Sequence, residues 1–154
     1  YHGWGDVLVI VFFGFVPVGC TYYTMAHDWT WNVTIGCAAC GLVSDLLLML
    51  NNYRDREQDK ISGKRTLIVR FGEKAGRYAY LWLGIIAVGI CSYYAFKGYL
   101  LAALLPLLFL IPHTTTWREM VRIFKGKELN IVLGKTARNI VLFGLLLSLG
   151  LILS

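Results

Sequence analysis

From Trp31 to Leu50 the chain reads WNVTIGCAACGLVSDLLLML, and from Asn51 to Lys60 it continues NNYRDREQDK. The first stretch holds a single charge, Asp45, whereas the second holds six. Hydrocarbon accepts the first kind of segment and rejects the second. A bilayer core of roughly 30 Å takes about 20 apolar residues per helix, so residues 31–50 have the length of one crossing.

The same pattern recurs on both sides. Val7–Ala26 and Tyr78–Phe96 are long apolar runs, and Thr136–Ser154 closes the chain with another. Tyr99–Pro112 is short for a crossing and holds Pro106, which predicts a kinked or partly irregular helix. Of the 154 residues 57% are hydrophobic, and the mean hydropathy is +0.60, both above the range of an ordinary soluble domain. The fold class these features predict is an all-α integral membrane protein of about five transmembrane helices, with residues 1–154 forming one domain.

The basic residues orient the spans. Of fifteen Lys and Arg, eight lie from Arg54 to Arg77 and six from Arg118 to Arg138, leaving Lys97 alone. With five crossings the two basic stretches share one side, and Lys97 and the Ala26–Thr30 turn share the other. The positive-inside rule makes the basic side cytoplasmic, which predicts a multi-pass protein of the cell inner (plasma) membrane. The net charge of +6 flanks spans rather than forming a soluble basic face, so it does not indicate a nucleic-acid partner.

Cys20, Cys37, Cys40 and Cys91 all fall in apolar runs. The Cys37-x-x-Cys40 spacing would suggest redox or metal chemistry in a soluble protein. Inside a span, with no second cysteine or histidine cluster, the pair reads as small packing residues. No secretory signal pattern is seen, and Tyr1–Asp6 reads as a loop entering a helix, so the sequence is expected to continue upstream.

The chemistry lies where the second span reaches the charged side. If the helix continues, Asn51, Asp55 and Asp59 recur at i, i+4 and i+8 on one stripe. Two carboxylates one turn apart repel each other, so something must offset them. A hard divalent cation does so: Mg²⁺ takes oxygen ligands and is commonly held by one or two carboxylates plus substrate phosphates. Asn51 offers an amide oxygen. Gly63-Lys64-Arg65-Thr66 follows, where a flexible glycine can return two cations toward the metal. Arg and Lys both suit diphosphate oxygens. The bland alternative is a solvated loop in which Arg54, Arg56 and Lys60 neutralise Asp55, Glu57 and Asp59.

The run Asn51-Asn52-Tyr53-Arg54-Asp55, Asp59, and Gly63 through Gly72 resembles the second aspartate-rich motif of the UbiA superfamily. Within it the likeness is to the MenA-type branch, which prenylates 1,4-dihydroxy-2-naphthoate. Gly5-Asp6 leading to Phe12-Phe13-Gly14, and Leu129-Asn130 leading to Leu133 through Ala137, resemble that branch too. The resemblance implies a nine-helix fold around a central cavity, of which these five would be the last. It implies Mg²⁺ on Asp55, Asp59 and Asn51, with Asp55, Asp59 and Lys64 in catalysis. It further implies substrate contacts from Asn51, Asn52, Arg54, Lys64, Arg65, Arg70 and Lys135. The implied substrates are an allylic polyprenyl diphosphate and 1,4-dihydroxy-2-naphthoate. The allylic cation alkylates the ring, carbon dioxide leaves, and demethylmenaquinone results. The family's earlier aspartate-rich motif has no counterpart in this sequence, so the N-terminal half of the same enzyme is an expected partner and this chain alone is expected to be inactive.

Asp45, an acid within a span, is either functional or hydrogen-bonded near Ser44. Arg70, Lys135 and Arg138 could meet the acceptor carboxylate or anchor to lipid headgroups. His113 is expected at a membrane boundary, and Trp4, Trp29, Trp31 and Trp117 in the interfacial belt. Gly84, Gly89, Gly144 and Gly150 are expected at close helix contacts. Two rival classes remain. A CDP-alcohol phosphotransferase would need Asp-Gly and Ala-Arg elements that this sequence lacks. A small transport or assembly subunit would carry the aspartates as surface charge only. Other UbiA branches, acting on 4-hydroxybenzoate or haem, share the aspartates.

Overall fold

The computed structural model describes residues 4–154; the start of the loop expected at Tyr1–Asp6 lies outside the described residues. Five helices are long and apolar enough to cross a membrane: α1 (Gly5–Ala26), α2 (Trp31–Ile61), α3 (Leu67–Phe96), α4 (Leu100–Ile123) and α5 (Leu129–Leu153). Each expected span is present, and all five are longer than the apolar runs alone predict. Gly5 and Asp6 are already helical.

The added turns in α2 matter most. Thr30 caps the helix by accepting from the Val33 N–H at 3.4 Å. Thirty-one residues then carry it roughly 46 Å, well past a hydrocarbon core, so its charged end projects from the membrane. Burial continues along one face into that end: Leu46, Met49, Leu50, Tyr53 and Arg56 are all buried. Their three- and four-residue spacing is the packing stripe of a helix.

The end of α2 is set by Gly63, at φ +73° with open space where a Cβ would stand. The Lys64 N–H returns to the Asp59 carbonyl at 2.9 Å and the Gly63 N–H to that of Lys60 at 3.4 Å. This pairing is a Schellman motif, which needs a left-handed residue at Gly63. Thr66 then accepts from the Val69 N–H at 3.3 Å and starts α3. The charged stretch before Tyr78 is therefore helical from Leu67. One break interrupts it, at Gly72, where φ is +86° and ψ is 169°.

Helix α2 packs on α1, α3 and α5, while α4 packs on α3 and α5. Helix α1 widens to π-helical geometry over Val11–Cys20, around Pro17. It crosses α2 with backbones touching: a Cβ on Gly14 would lie 2.7 Å from Gly41 Cα, and one on Gly41 would lie 2.7 Å from the Ile10 carbonyl oxygen. Pro106 does kink α4, which passes through a 3₁₀ turn at Leu105–Phe109 and then runs to Ile123, eleven residues beyond the expected end.

His113 is fully buried in α4, its ring stacked between Tyr80 and Phe109 at 5.1 Å from each. Its Nε2 meets the Leu81 carbonyl at 3.2 Å, and the ring fills the space that a side chain on Gly84 would need. Gly150 similarly abuts the Ala102 backbone. Gly89 and Gly144 were expected at such contacts and have nothing within 4 Å of a Cβ position. Hydrogen bonds tie the same three helices: Tyr80 to Thr136 at 2.7 Å, and Asn139 Nδ2 to Thr116 at 2.9 Å. Trp4, Trp29 and Trp31 are exposed as an interfacial belt requires, but Trp117 is half-buried and donates to the Arg77 carbonyl at 2.9 Å. All four cysteines are free, and Cys37 and Cys91 are buried packing residues.

Candidate active site

Helix α2 runs unbroken through Asn51, Asp55 and Asp59, so the three share one stripe, and Asn51 faces a groove between α1 and α5. Asn51 lines an apolar pocket of about 370 Å³ with Val9, Phe13, Ser44, Leu48 and Ile140. Further along the same α2 stripe, Val33, Gly36 and Cys40 line a second cavity of about 560 Å³, closed by Val18 and Tyr22 of α1 and Leu147 and Leu151 of α5. The two form successive stations on one α2 face. At its charged end Asp55 lines a third cavity, of about 530 Å³, with Arg54, Gln58, Lys125 and Gly126.

Both aspartates are paired. Arg54 Nε and Nη2 each donate to Asp55, Oδ1 and Oδ2 respectively, at 2.7 Å. The third guanidinium nitrogen donates to Asn130 Oδ1 on α5 at 2.8 Å. Asp59 is buried, and Lys64 Nζ stands 3.1 Å from its Oδ1. The Schellman turn is what returns Lys64 to this point. The like charges one turn apart are thus each offset by a cation of the same motif.

Other expected site residues are placed elsewhere. Lys135 donates to Glu119 of α4 at 2.6 Å and is not gathered with the aspartates. Arg65 and Arg70 are exposed, with Arg70 lying over the Phe71 ring at 5.6 Å. Asn52 is half-buried on α2. Asp45 is buried with Oδ1 unpartnered among the described residues, and so is Oδ1 of Asp6; Ser44 donates to the Cys40 carbonyl instead.

The donor set fits a hard divalent cation. Asp55 keeps 42% of its side chain exposed and opens onto the 530 Å³ cavity, so its oxygens can exchange Arg54 for a metal. Two carboxylates suffice for Mg²⁺ when water and phosphate complete the shell. Among the described residues no three His, Cys, Asp or Glu side chains gather into a ready-made cage. Asp55 and Asp59 supply acid oxygens and Asn51 an amide further down the stripe. Cations beside acids at the mouth of an apolar groove can hold a diphosphate at one end and an apolar chain at the other.

Sequence reading assigned no role to Asn130, Glu73, Arg77 or Phe124, and took Arg56 only as a solvated neutraliser. Arg56 is buried, donates to the Tyr53 carbonyl at 2.6 Å and pairs with Glu73 at 3.6 Å. Its place on the stripe that buries Leu46, Leu50 and Tyr53 is the signal that could have found it.

Residues 1–128 match the family described as the UbiA prenyltransferase family. The 1,4-dihydroxy-2-naphthoate octaprenyltransferase of Escherichia coli is 34% identical over all of this chain and 50% of its own length. The enzyme of the same name from Haemophilus influenzae is 32% identical over 99% of the chain and 50% of its own length. The 2-carboxy-1,4-naphthoquinone phytyltransferase of Synechocystis is 26% identical over 69% of the chain and 36% of its own length. The chain therefore spans about half the length of the first two relatives. No solved structure gives a significant match.

Proposed function

From the premise that this chain belongs to the UbiA prenyltransferase family and is a multi-pass membrane protein, we propose that it carries part of a 1,4-dihydroxy-2-naphthoate polyprenyltransferase. The observation that carries this reading is the end-to-end similarity to two naphthoate octaprenyltransferases. The donor is an allylic polyprenyl diphosphate. The rest of the site, with a first aspartate-rich motif, comes from the N-terminal half of the same enzyme, and the charged face is cytoplasmic at the inner membrane.

The chemistry balances without an added base. The allylic C–O bond breaks and diphosphate leaves with the electron pair. The allylic carbon bonds to the ring carbon bearing the carboxylate, and loss of carbon dioxide returns the electron pair that restores the aromatic ring. The product forms at the hydroquinone level, and demethylmenaquinone is its oxidised form. Asp55 and Asp59, with Asn51, would hold Mg²⁺, which would supply charge stabilisation to the departing diphosphate.

The residues of this chain do the rest. Arg54 turns its fork from Asp55 to diphosphate oxygens, and Lys64 adds a point charge from Asp59. Asn52, Arg65, Arg70 and Lys135 stand apart from the aspartates and would reach the outer oxygens or the acceptor carboxylate only by moving toward them. The groove along Asn51, Cys40 and Val33 takes the polyprenyl chain and keeps water from the allylic cation.

The test is carbon dioxide release. Membranes carrying the complete gene product should release one carboxyl carbon of 1,4-dihydroxy-2-naphthoate per prenyl group transferred. Prenylation of 4-hydroxybenzoate instead, or of naphthoate with the carboxylate retained, would overturn the assignment.

A further inference from the structure

One backbone outlier on the charged face has no part in the chemistry above. Phe124, which ends α4, has φ +66° and ψ −50°. The Lys125 N–H bonds back to the Ile123 carbonyl at 2.7 Å, so Phe124 is the centre of a classic γ-turn, a rare and strained geometry for a residue with a side chain. Such strain persists where the surroundings over-determine it.

Here they do. The Arg56 and Arg77 guanidinium carbons each lie 4.9 Å from the centre of the Phe124 ring. Arg56 also lies over Tyr53 at 4.5 Å, and Arg77 Nε donates to the Tyr53 hydroxyl at 2.9 Å. Glu73 balances both, at 3.6 Å from Arg56 and 3.5 Å from Arg77. The next two residues, Lys125 and Gly126, form the wall opposite Arg54, Asp55 and Gln58 in the 530 Å³ cavity. One ring thus ties the α4–α5 loop to the aspartate-bearing end of α2 and the first turns of α3.

We propose that Phe124 is a positioning residue whose ring, clasped between Arg56 and Arg77, holds residues 125–126 across from Asp55 and sets the width of the diphosphate cavity. The inference rests on the reading of that cavity given above. Strain at Phe124 is the consequence of aiming its ring between the two cations while turning the chain toward the cavity.

The experiment places cysteines at Gln58 and Lys125 in the complete gene product and measures their bridging by a short bifunctional thiol reagent in ligand-free membranes. Four backgrounds are compared: unaltered, Phe124→Tyr, Phe124→Gly and Phe124→Leu. Glycine accepts positive φ at no cost, so the turn survives while the ring is lost. Bridging should match the parent in Phe124→Tyr and fall roughly tenfold in Phe124→Gly, the value of two partly buried cation–π contacts. Phe124→Leu, which keeps bulk without an aromatic face, should fall likewise. In transfer assays without the added cysteines, Phe124→Gly should raise KM for the diphosphate roughly tenfold and change kcat less than about twofold. Equal bridging in Phe124→Gly and parent, or equal losses in Tyr and Gly, would overturn the clasp. Absence of transfer by the parent itself would count against the functional reading, while bridging still decides the clasp.

Discussion

The guanidinium of Arg54 closes on the Asp55 carboxylate through two hydrogen bonds of 2.7 Å. Asp55 opens onto the charged-face cavity, and its partner is the neighbouring residue in its own motif. Asn130 takes the remaining guanidinium nitrogen at 2.8 Å and fixes the direction of the fork. Asp59 and Lys64 repeat the arrangement one turn on. Each acid is thus matched by a cation of its own motif.

Arg54→Gln should therefore affect substrate handling more than folding. A partly exposed ion pair contributes about 0–1 kcal/mol, so melting in detergent should shift by no more than that. If the fork passes to the diphosphate, KM for the donor should rise by roughly tenfold or more. Titrating the polyprenyl diphosphate at fixed magnesium checks it. An unchanged KM would confine Arg54 to an ordinary surface pair.

Gly63→Ala isolates the turn that returns Lys64 to Asp59. A Cβ there meets no atom within 4 Å, so the cost is backbone strain alone. A left-handed residue other than glycine costs about 1–2 kcal/mol, and unfolding of the variant should show a loss of that size. Transfer should fall as well, because Lys64 no longer lies beside Asp59.

Glycines within one helix should respond with opposite signs. Gly84→Ala drives a methyl group into the His113 ring, and overpacking of this kind costs about 1–3 kcal/mol. Gly89→Ala, five residues on in α3, has open space and should stabilise by about 0.5–1 kcal/mol. Thermal melts of the two variants beside the parent decide it. Equal effects would mean that α3 and α4 are not packed as described.

Sidedness is checked by labelling single cysteines. Lys74→Cys and Lys127→Cys should react with an impermeant maleimide only in inverted vesicles, and Lys97→Cys only in right-side-out cells. Reaction of Lys97→Cys and Lys74→Cys from the same side would contradict the five-crossing topology.

Much of the fold was legible because hydrocarbon imposes a simple rule on composition. The runs around Val7, Trp31, Tyr78 and Thr136 could only be spans. The ends were not legible where charge and helix coincide. Residues 51–61 read as either a continuing helix or a solvated loop, and 67–77 only as a charged stretch, yet Tyr53, Arg56 and Asp59 are buried on the same face as Leu46 and Leu50. Paired charges stay helical when they pack on a neighbouring segment, and composition alone carries no sign of that partner. The burial of His113 was not legible either: three threonines follow it, and their hydroxyls bond back to carbonyls of their own helix at 2.7–2.9 Å. The stripe from Asn51 to Asp59 followed from periodicity. The pairing of Lys135 with Glu119 and the clasp on Phe124 depend on contacts between helices distant in sequence.

The most direct test of the account is magnesium-dependent transfer of a labelled polyprenyl group to 1,4-dihydroxy-2-naphthoate by membranes carrying the complete gene product, with and without Asp55→Asn. Asparagine keeps the shape of the side chain and removes its charge. Transfer should require magnesium in the parent and fall by roughly a hundredfold or more in the variant. Asp55→Asn membranes that transfer at the parental rate, with equal protein present, would contradict it.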